Sequence, residues 1–176
     1  MPIIAPVKNE NGKDFAPAPE GVHQAVCVDV VDLGWLEVTY AGQTSKKHKI
    51  NIAWQIAEDR EDGKPYLVFK RYTLSLHEKA TLRKDIESWL GKRFGHSGGF
   101  DVETLIGKNC MLNVTHNPVG DKVYANVVSV MPLHKKLQPM EPRDYVRKIH
   151  RTSDQAPTPE YDEMNPPPIT DDDIPF

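Results

Sequence analysis

Basic and aromatic side chains are interleaved through the middle of this 176-residue chain. Lysines cluster at positions 46, 47 and 49, and Lys70 and Arg71 lie in a later apolar run, bracketed by Tyr66 and Tyr72. Phosphates need cations, and splayed bases need flat surfaces on which to stack, so this pattern is typical of sites for an unpaired nucleic-acid strand. The predicted contacts with such a strand are Trp35, Tyr40, Lys46, Lys47, Lys49, Trp54, Lys64, Tyr66, Lys70, Arg71 and Tyr72.

Each of these residues also has an ordinary structural interpretation. A lysine cluster on a loop is usually solvated surface, and aromatic residues on strands usually pack in a core. Trp54 shares its face of a predicted strand with three isoleucines, so core and groove both stay open for it. Tyr66, Lys70 and Tyr72 share one face of the next strand, and Phe69 on the opposite face is expected to be core.

Motifs for catalysis or metal binding are incomplete. Residues 95–99 match GxSxG, but they follow a predicted helix instead of joining a buried strand to one. His77 begins an HExxH-like run in which Thr81 occupies the place of the second zinc ligand. Cys27 and Cys110 lie far apart in apolar runs, which indicates two buried thiols. The sequence therefore predicts a protein that is not an enzyme and uses no metal or cofactor.

Five predicted strands position the candidate contacts. They are residues 22–31 with a bend at 32–34 and continuation to 40, 47–56, 65–74, 109–115 and 122–130. In the second of these, Ile50, Ile52, Trp54 and Ile56 alternate with more polar residues, which is typical of a half-buried strand.

One amphipathic helix is predicted over residues 76–90. Ser75 and Glu78 have capping-box spacing, and Gly91 supplies a stop. Three strands, a helix and two strands is the order of an OB-fold, a five-stranded barrel with its helix between strands 3 and 4. We therefore predict a mainly β OB-fold barrel, with a small α+β sheet as the alternative. In an OB-fold the ligand groove crosses the second and third strands.

Charge divides the chain into four predicted segments. Residues 1–20 form an N-terminal arm and 21–133 the OB domain, with 16 basic and 16 acidic groups over 1–133. Residues 134–151 carry six basic and two acidic groups, with a short helix predicted from Pro142. Residues 152–176 carry seven acids and no Lys or Arg, which predicts a disordered, proline-rich tail. No apolar run is long enough to span a membrane, and Met1–Glu10 lacks a signal-peptide core, so we expect a soluble, unexported protein.

The last six residues, DDDIPF, resemble the acidic tip of bacterial single-stranded DNA-binding proteins. The run YTLSLHEKATLRKDIESWLGKRF, together with VVDLG near the first strand, is similar to phage-encoded single-stranded DNA-binding proteins of replication and recombination modules. This resemblance implies an OB-fold, sequence-tolerant binding of single-stranded DNA, and action in the bacterial host cytoplasm. It also implies recruitment of replication and repair proteins through the tip. The predicted partner-binding residues are Asp171, Asp172, Asp173, Ile174, Pro175 and Phe176.

The tip combines groups that could anchor it to a partner protein. Phenylalanine can fill a pocket, the terminal carboxylate can pair with a basic residue, and the aspartates can steer the tail toward a basic surface. The sequence leaves two other functions open: an interaction adaptor that mimics the host tail, and a strand-annealing recombination protein. It leaves homo-oligomerisation open as well.

Overall fold

Five antiparallel strands and one α-helix make up the part of the chain that this computed structural model describes, residues 16–120 and 122–151. The strands are β1 (Gly21–Tyr40), β2 (Gln43–Asp59), β3 (Pro65–Thr73), β4 (Asn109–Val119) and β5 (Lys122–Pro132). The helix α1 (Thr81–Leu90) lies between β3 and β4, and 3-10 turns occur at Val102–Leu105 and Lys148–His150. The predicted mainly β fold with a helix after the third strand is confirmed. None of the helices in the described ranges is long and apolar enough to cross a membrane.

β1 is the central strand of the sheet, whose order is β3-β2-β1-β4-β5. Its first residues, 21–26, pair with β4, and its residues from Ala25 onward pair with β2. The two edge strands, β3 and β5, approach each other to within 8 Å between Cα atoms. The sheet is therefore strongly curled, since strand twist accumulates across it, and it encloses one of its faces.

A bulge between Asp32 and Gly34 bends β1. Gly34 has a φ of 74°, a left-handed conformation that favours glycine. Beyond the bulge, β1 continues to pair with β2, whereas β3 reaches along β2 only as far as Lys49. Residues 34–48 thus form a two-stranded extension, which we call the β1–β2 hairpin. The bend predicted at residues 32–34 is confirmed.

The enclosed face of the sheet forms the larger core. Alternate residues of β2 point into it, and α1 packs against them. The Trp54 and Trp89 rings lie 6.0 Å apart between centroids. The main contributors from these two elements are Ile50, Ile52, Trp54, Ile56, Leu82, Ile86 and Trp89. Burial of each large apolar side chain contributes about 1.5–3 kcal/mol to folding.

The helix begins later than predicted. Ser75 Oγ accepts the His77 N–H (3.1 Å), and the Ala80 N–H donates to the His77 carbonyl (2.8 Å), so residues 75–80 form a turn. α1 starts at Thr81 without a side-chain cap, and the predicted capping box is wrong because the serine oxygen bonds locally. The predicted stop at Gly91 is confirmed by its left-handed φ of 64°.

A second core lies on the outer face of the sheet. Met140 and Tyr145 pack there, so residues 134–151, which we call the strap, cover this face. The prediction of a half-buried β2 is therefore wrong, since the strap buries its other side as well. The buried sheet residues under the strap are Val26, Val28, Val31, Ala53 and Phe69.

The carboxylate of Asp29 anchors the strap. Asp29 is 0% exposed. Its Oδ2 accepts the Tyr145 hydroxyl (2.9 Å) and the Lys148 backbone N–H (2.8 Å), and its Oδ1 accepts Arg147 Nε–H (3.1 Å). A buried carboxylate needs such donors to offset its lost hydration.

Side-chain amides of the sheet form hydrogen bonds with the rest of the strap. Gln55 exchanges two hydrogen bonds with the backbone of Arg143, and Asn109 exchanges two with that of Met140. These bonds hold the strap extended, so the helix predicted from Pro142 is wrong; only the 3-10 turn at Lys148–His150 occurs. The packed structure thus continues to residue 151, beyond the predicted boundary at 133. The predicted tail, 152–176, and all but the last five residues of the predicted arm, 1–20, lie outside the described residues.

We expect Asp29→Asn to lower the free energy of unfolding by about 1–3 kcal/mol, because its amide NH2 replaces an acceptor with a donor and leaves a buried donor of the strap unpaired. Tyr145→Phe is expected to cost about 1–3 kcal/mol, since it removes one donor to the same carboxylate. Both free energies of unfolding are to be measured by urea unfolding followed by circular dichroism.

Glu61→Gln is the matched control, because it neutralises an exposed acid of the β2–β3 turn. It is expected to change the free energy of unfolding by less than about 0.5 kcal/mol. An Asp29→Asn protein as stable as this control would contradict the anchoring role.

Candidate nucleic-acid interface

The β1–β2 hairpin brings several of the predicted contacts together. In its register Trp35 faces His48, Leu36 faces Lys47, and the acidic Glu37 faces Lys46. Trp35 is 68% exposed, the most exposed of the large hydrophobic side chains in the described ranges. Lys46 is exposed, and Tyr40, at the hairpin's end, is half-buried. Because successive side chains alternate between the two faces of the ribbon, Lys46 shares the face of Trp35, whereas Lys47 lies on the other face. An exposed indole with a lysine on the same face is a suitable surface for a base and its phosphate.

His48 lies against the exposed indole and is hydrogen-bonded to Asp32. The Trp35 and His48 rings are stacked, with 5.3 Å between centroids and 29° between planes. His48 Nε2 donates to Asp32 Oδ1 (2.7 Å), which also accepts the Gly34 N–H (2.7 Å). The Gly34 N–H and then His48 hold the pKa of the Asp32 carboxyl below its usual range. Sequence reasoning omitted His48 from the site, although it lies within the lysine cluster, because strand register is needed to place it beside Trp35.

A polar row crosses the base of the hairpin on the outer face. Lys49 is only 4% exposed, and its Nζ donates to Thr73 Oγ1 (2.8 Å). Its predicted role as a phosphate contact is therefore not supported by this geometry. Asn51, opposite Arg71 in register, is buried, and neither of its amide atoms has a hydrogen-bond partner in the described structure. Arg71 is half-buried.

Three other predicted contacts face inward. Trp54 is 0% exposed and Tyr72 is 1% exposed, so neither can stack on a base in this fold. Lys70 Nζ and the Tyr72 hydroxyl both bond to Asp85 Oδ2 of α1, each at 2.7 Å. The prediction that Lys70 and Tyr72 lie on the ligand face is wrong, because the face they share with Val68 is the enclosed one.

The structure separates Lys64 and Tyr66 from the hairpin. Lys64 is exposed at the β2–β3 turn, and Tyr66 is half-buried against the larger core. This turn follows the end of β2 at Asp59, whereas Lys47 lies near its beginning. Twelve residues of strand span up to about 40 Å, so the two ends do not form one continuous patch.

The strap affects where a ligand groove could lie on β2 and β3. It occupies the outer face of β2 and β3, which holds Ala53 and Phe69. Arg143 pairs with Asp59, and Arg147 pairs with Asp29 and Glu103. The exposed basic side chains of the strap include Lys135, Lys136 and Lys148. A ligand on this side of the molecule would therefore contact the strap instead of bare strands.

The cysteines and the loop after α1 show no catalytic arrangement in the described ranges. Burial raises the pKa of both Cys27 and Cys110, which keeps the thiols protonated and unreactive. Residues 95–99 lie in an irregular loop. No group of three or more His, Cys, Asp or Glu in residues 16–120 and 122–151 is arranged to hold a metal ion.

No protein-family model matches this sequence, and no curated protein matches it. The predicted partner-binding residues, Asp171–Phe176, lie outside the described residues.

The inward position of Tyr72 gives a prediction. Tyr72→Phe is expected to lower the free energy of unfolding by about 1–3 kcal/mol, because Asp85 loses a hydrogen bond in a largely buried position. Affinity of the folded protein for an oligonucleotide should not change. The measurements are urea unfolding and a fluorescence-anisotropy titration.

Tyr40→Phe is the control, since it removes a hydroxyl from the half-buried end of the hairpin. It should leave the unfolding curve within about 0.5 kcal/mol of the parent protein. If Tyr72→Phe weakened oligonucleotide binding and left the free energy of unfolding unchanged, Tyr72 would be a ligand contact and its assignment to the core would be contradicted.

Proposed function

We propose that this protein binds single-stranded DNA without sequence specificity and protects it during replication, recombination and repair. The observation that carries the proposal is the β1–β2 hairpin, where Trp35 is exposed on the same face as Lys46, with Lys47 on the opposite face. A stacking surface accepts any base, and lysines accept any phosphate, so this chemistry favours sequence-tolerant binding. The resemblance to phage-encoded single-stranded DNA-binding proteins points the same way.

The domain is proposed to be an OB-fold barrel. Its support is the strand order with β1 at the centre, the helix between β3 and β4, and the approach of β3 to β5. In OB-folds the loop between the first two strands flanks the ligand groove, and the β1–β2 hairpin occupies that position. The DNA path proposed here follows the hairpin and the exposed lysines of the strap.

The tip is proposed to recruit replication and repair proteins of the host or phage, in the bacterial cytoplasm. Its support is the identity of Asp171–Phe176 with the acidic tip of bacterial single-stranded DNA-binding proteins. Those six residues combine a hydrophobic anchor with three negative charges. The anchor supplies the buried contact, and the charges accelerate association with a basic pocket.

The first experiment is a titration of labelled oligo(dT) at several salt concentrations, with duplex DNA as competitor. We expect a preference for the single strand and an affinity that falls as salt rises. Lys46→Gln/Lys47→Gln should lower the slope of log affinity against log salt by about 1.4, since each phosphate contact on a single strand contributes about 0.7.

The charge-matched control is Lys84→Gln/Lys92→Gln, which removes two exposed lysines in and just after α1. Its salt slope should equal that of the parent protein. Equal slopes for all three proteins would exclude the hairpin lysines from the interface. No oligo(dT) binding at low salt would instead favour the adaptor function, and an annealing assay with complementary strands tests the third function.

A second experiment addresses the tip. Deletion of Ile174, Pro175 and Phe176 should abolish recovery of host replication and repair proteins in a pull-down, because the anchor is lost. Affinity for oligo(dT) should change less than about twofold, since no stacking group or cation is removed.

Deletion of residues 166–168 is the control, because it shortens the tail equally and leaves the tip intact. It should recover the same proteins as the full chain. Equal recovery by the tip deletion would mean that the tip is not the recruiting element.

A further inference from the structure

The hairpin poses a physical problem for base stacking. Trp35 lies beyond the reach of β3, on a two-stranded extension of the sheet, and its side chain is 68% exposed. An exposed indole on a ribbon samples several rotamers, and fixing it on a base costs about 0.5–1.5 kcal/mol. A ring that is already held in place avoids this cost.

His48 holds that ring. It is the direct cross-strand neighbour of Trp35, and the two rings are stacked at 5.3 Å. The contact lies against one side of the indole, while most of the Trp35 surface stays exposed. The histidine therefore restrains the indole without covering it.

Asp32 in turn holds His48. A single carboxylate oxygen, Oδ1, accepts both His48 Nε2–H and the Gly34 N–H, each at 2.7 Å. The Gly34 bond belongs to the bulge that bends β1, so the position of the oxygen follows from the backbone. The bulge, the carboxylate, the imidazole and the indole thus form one connected unit.

We propose that His48, held by Asp32, is a positioning residue that fixes the plane of Trp35 as a preorganised platform for a nucleobase. This rests on the proposed function, since the occupant of the platform is a base of single-stranded DNA. His48 acts through Trp35 and not as a phosphate contact.

The test combines a measurement of ring mobility with one of affinity. Protein labelled with 5-fluorotryptophan has three indole signals, and Trp35→Phe assigns the one from Trp35. Fluorine relaxation of that signal reports ring mobility without any ligand. Anisotropy titration with oligo(dT) reports affinity, and urea unfolding checks that each variant is folded.

His48→Ala is expected to increase the mobility of the Trp35 ring and to weaken oligo(dT) binding about two- to twelvefold. Trp35→Ala is expected to weaken binding about 5- to 150-fold. In the Trp35→Ala background, adding His48→Ala should have no further effect, because the residue on which it acts is gone.

Two substitutions of the carboxylate form a matched pair. Asp32→Ala removes the oxygen that receives both hydrogen bonds, so it should reproduce the mobility and the affinity of His48→Ala. Asp32→Asn retains an Oδ1 acceptor and should behave like the parent protein.

The outcomes separate the possible failures. An unchanged Trp35 signal in His48→Ala would overturn the positioning role, whatever the affinity. A loss of affinity that persists in the Trp35→Ala background and weakens with salt would make His48 a phosphate contact instead. If His48→Ala increased the mobility of the Trp35 ring but the parent protein did not bind oligo(dT), the restraint of Trp35 by His48 would be confirmed. The role of Trp35 as a platform for a base, and the proposed function, would both be overturned.

Discussion

The buried carboxylate of Asp29 is the constraint on which the outer half of this molecule depends. It lies on the central strand, away from water, where an unpaired charge would cost several kcal/mol. Tyr145, Arg147 and the backbone of Lys148 supply hydrogen bonds to it from more than 110 residues away in the chain. The strap is therefore part of the folded domain, because the sheet contains a charge that the strap satisfies.

The strap has consequences for where a ligand can lie. It forms a second core over the outer face of β1, β2 and β3, so that the sheet is buried on both sides along much of its length. It also uses two of its arginines in ion pairs with Asp29, Glu103 and Asp59, which removes them from the positive surface. Under the proposed function, the surface left for single-stranded DNA consists of the β1–β2 hairpin and the outward lysines of the strap.

The hairpin differs from the rest of the sheet in how it is stabilised. In the described structure β3 does not pair with it, although the Leu74 N–H donates to the His48 carbonyl at its base (2.7 Å). Its Trp35 ring packs against a histidine instead of a core. The order of this region comes from the bulge at Asp32–Gly34 and from the hydrogen bonds that converge on one carboxylate oxygen. Such an arrangement keeps an apolar ring in water and restrains it at the same time, which is the requirement for stacking on a ligand.

The sequence by itself predicted the elements whose signals are local. Alternation over Ile50, Ile52 and Trp54, the bend at residues 32–34, the helical spacing of Leu82 and Ile86, and the stop at Gly91 all depend on backbone periods of a few residues. Only the tertiary structure decided which faces are buried, because a period of two divides a strand into two faces without saying what covers either one. The sequence therefore predicts a ligand contact at Tyr72 and leaves core and groove open for Trp54, whereas both residues lie in the core. The partners of Asp29 and the pairing of Trp35 with His48 depend on register and on contacts between distant segments, and no local pattern contains that information.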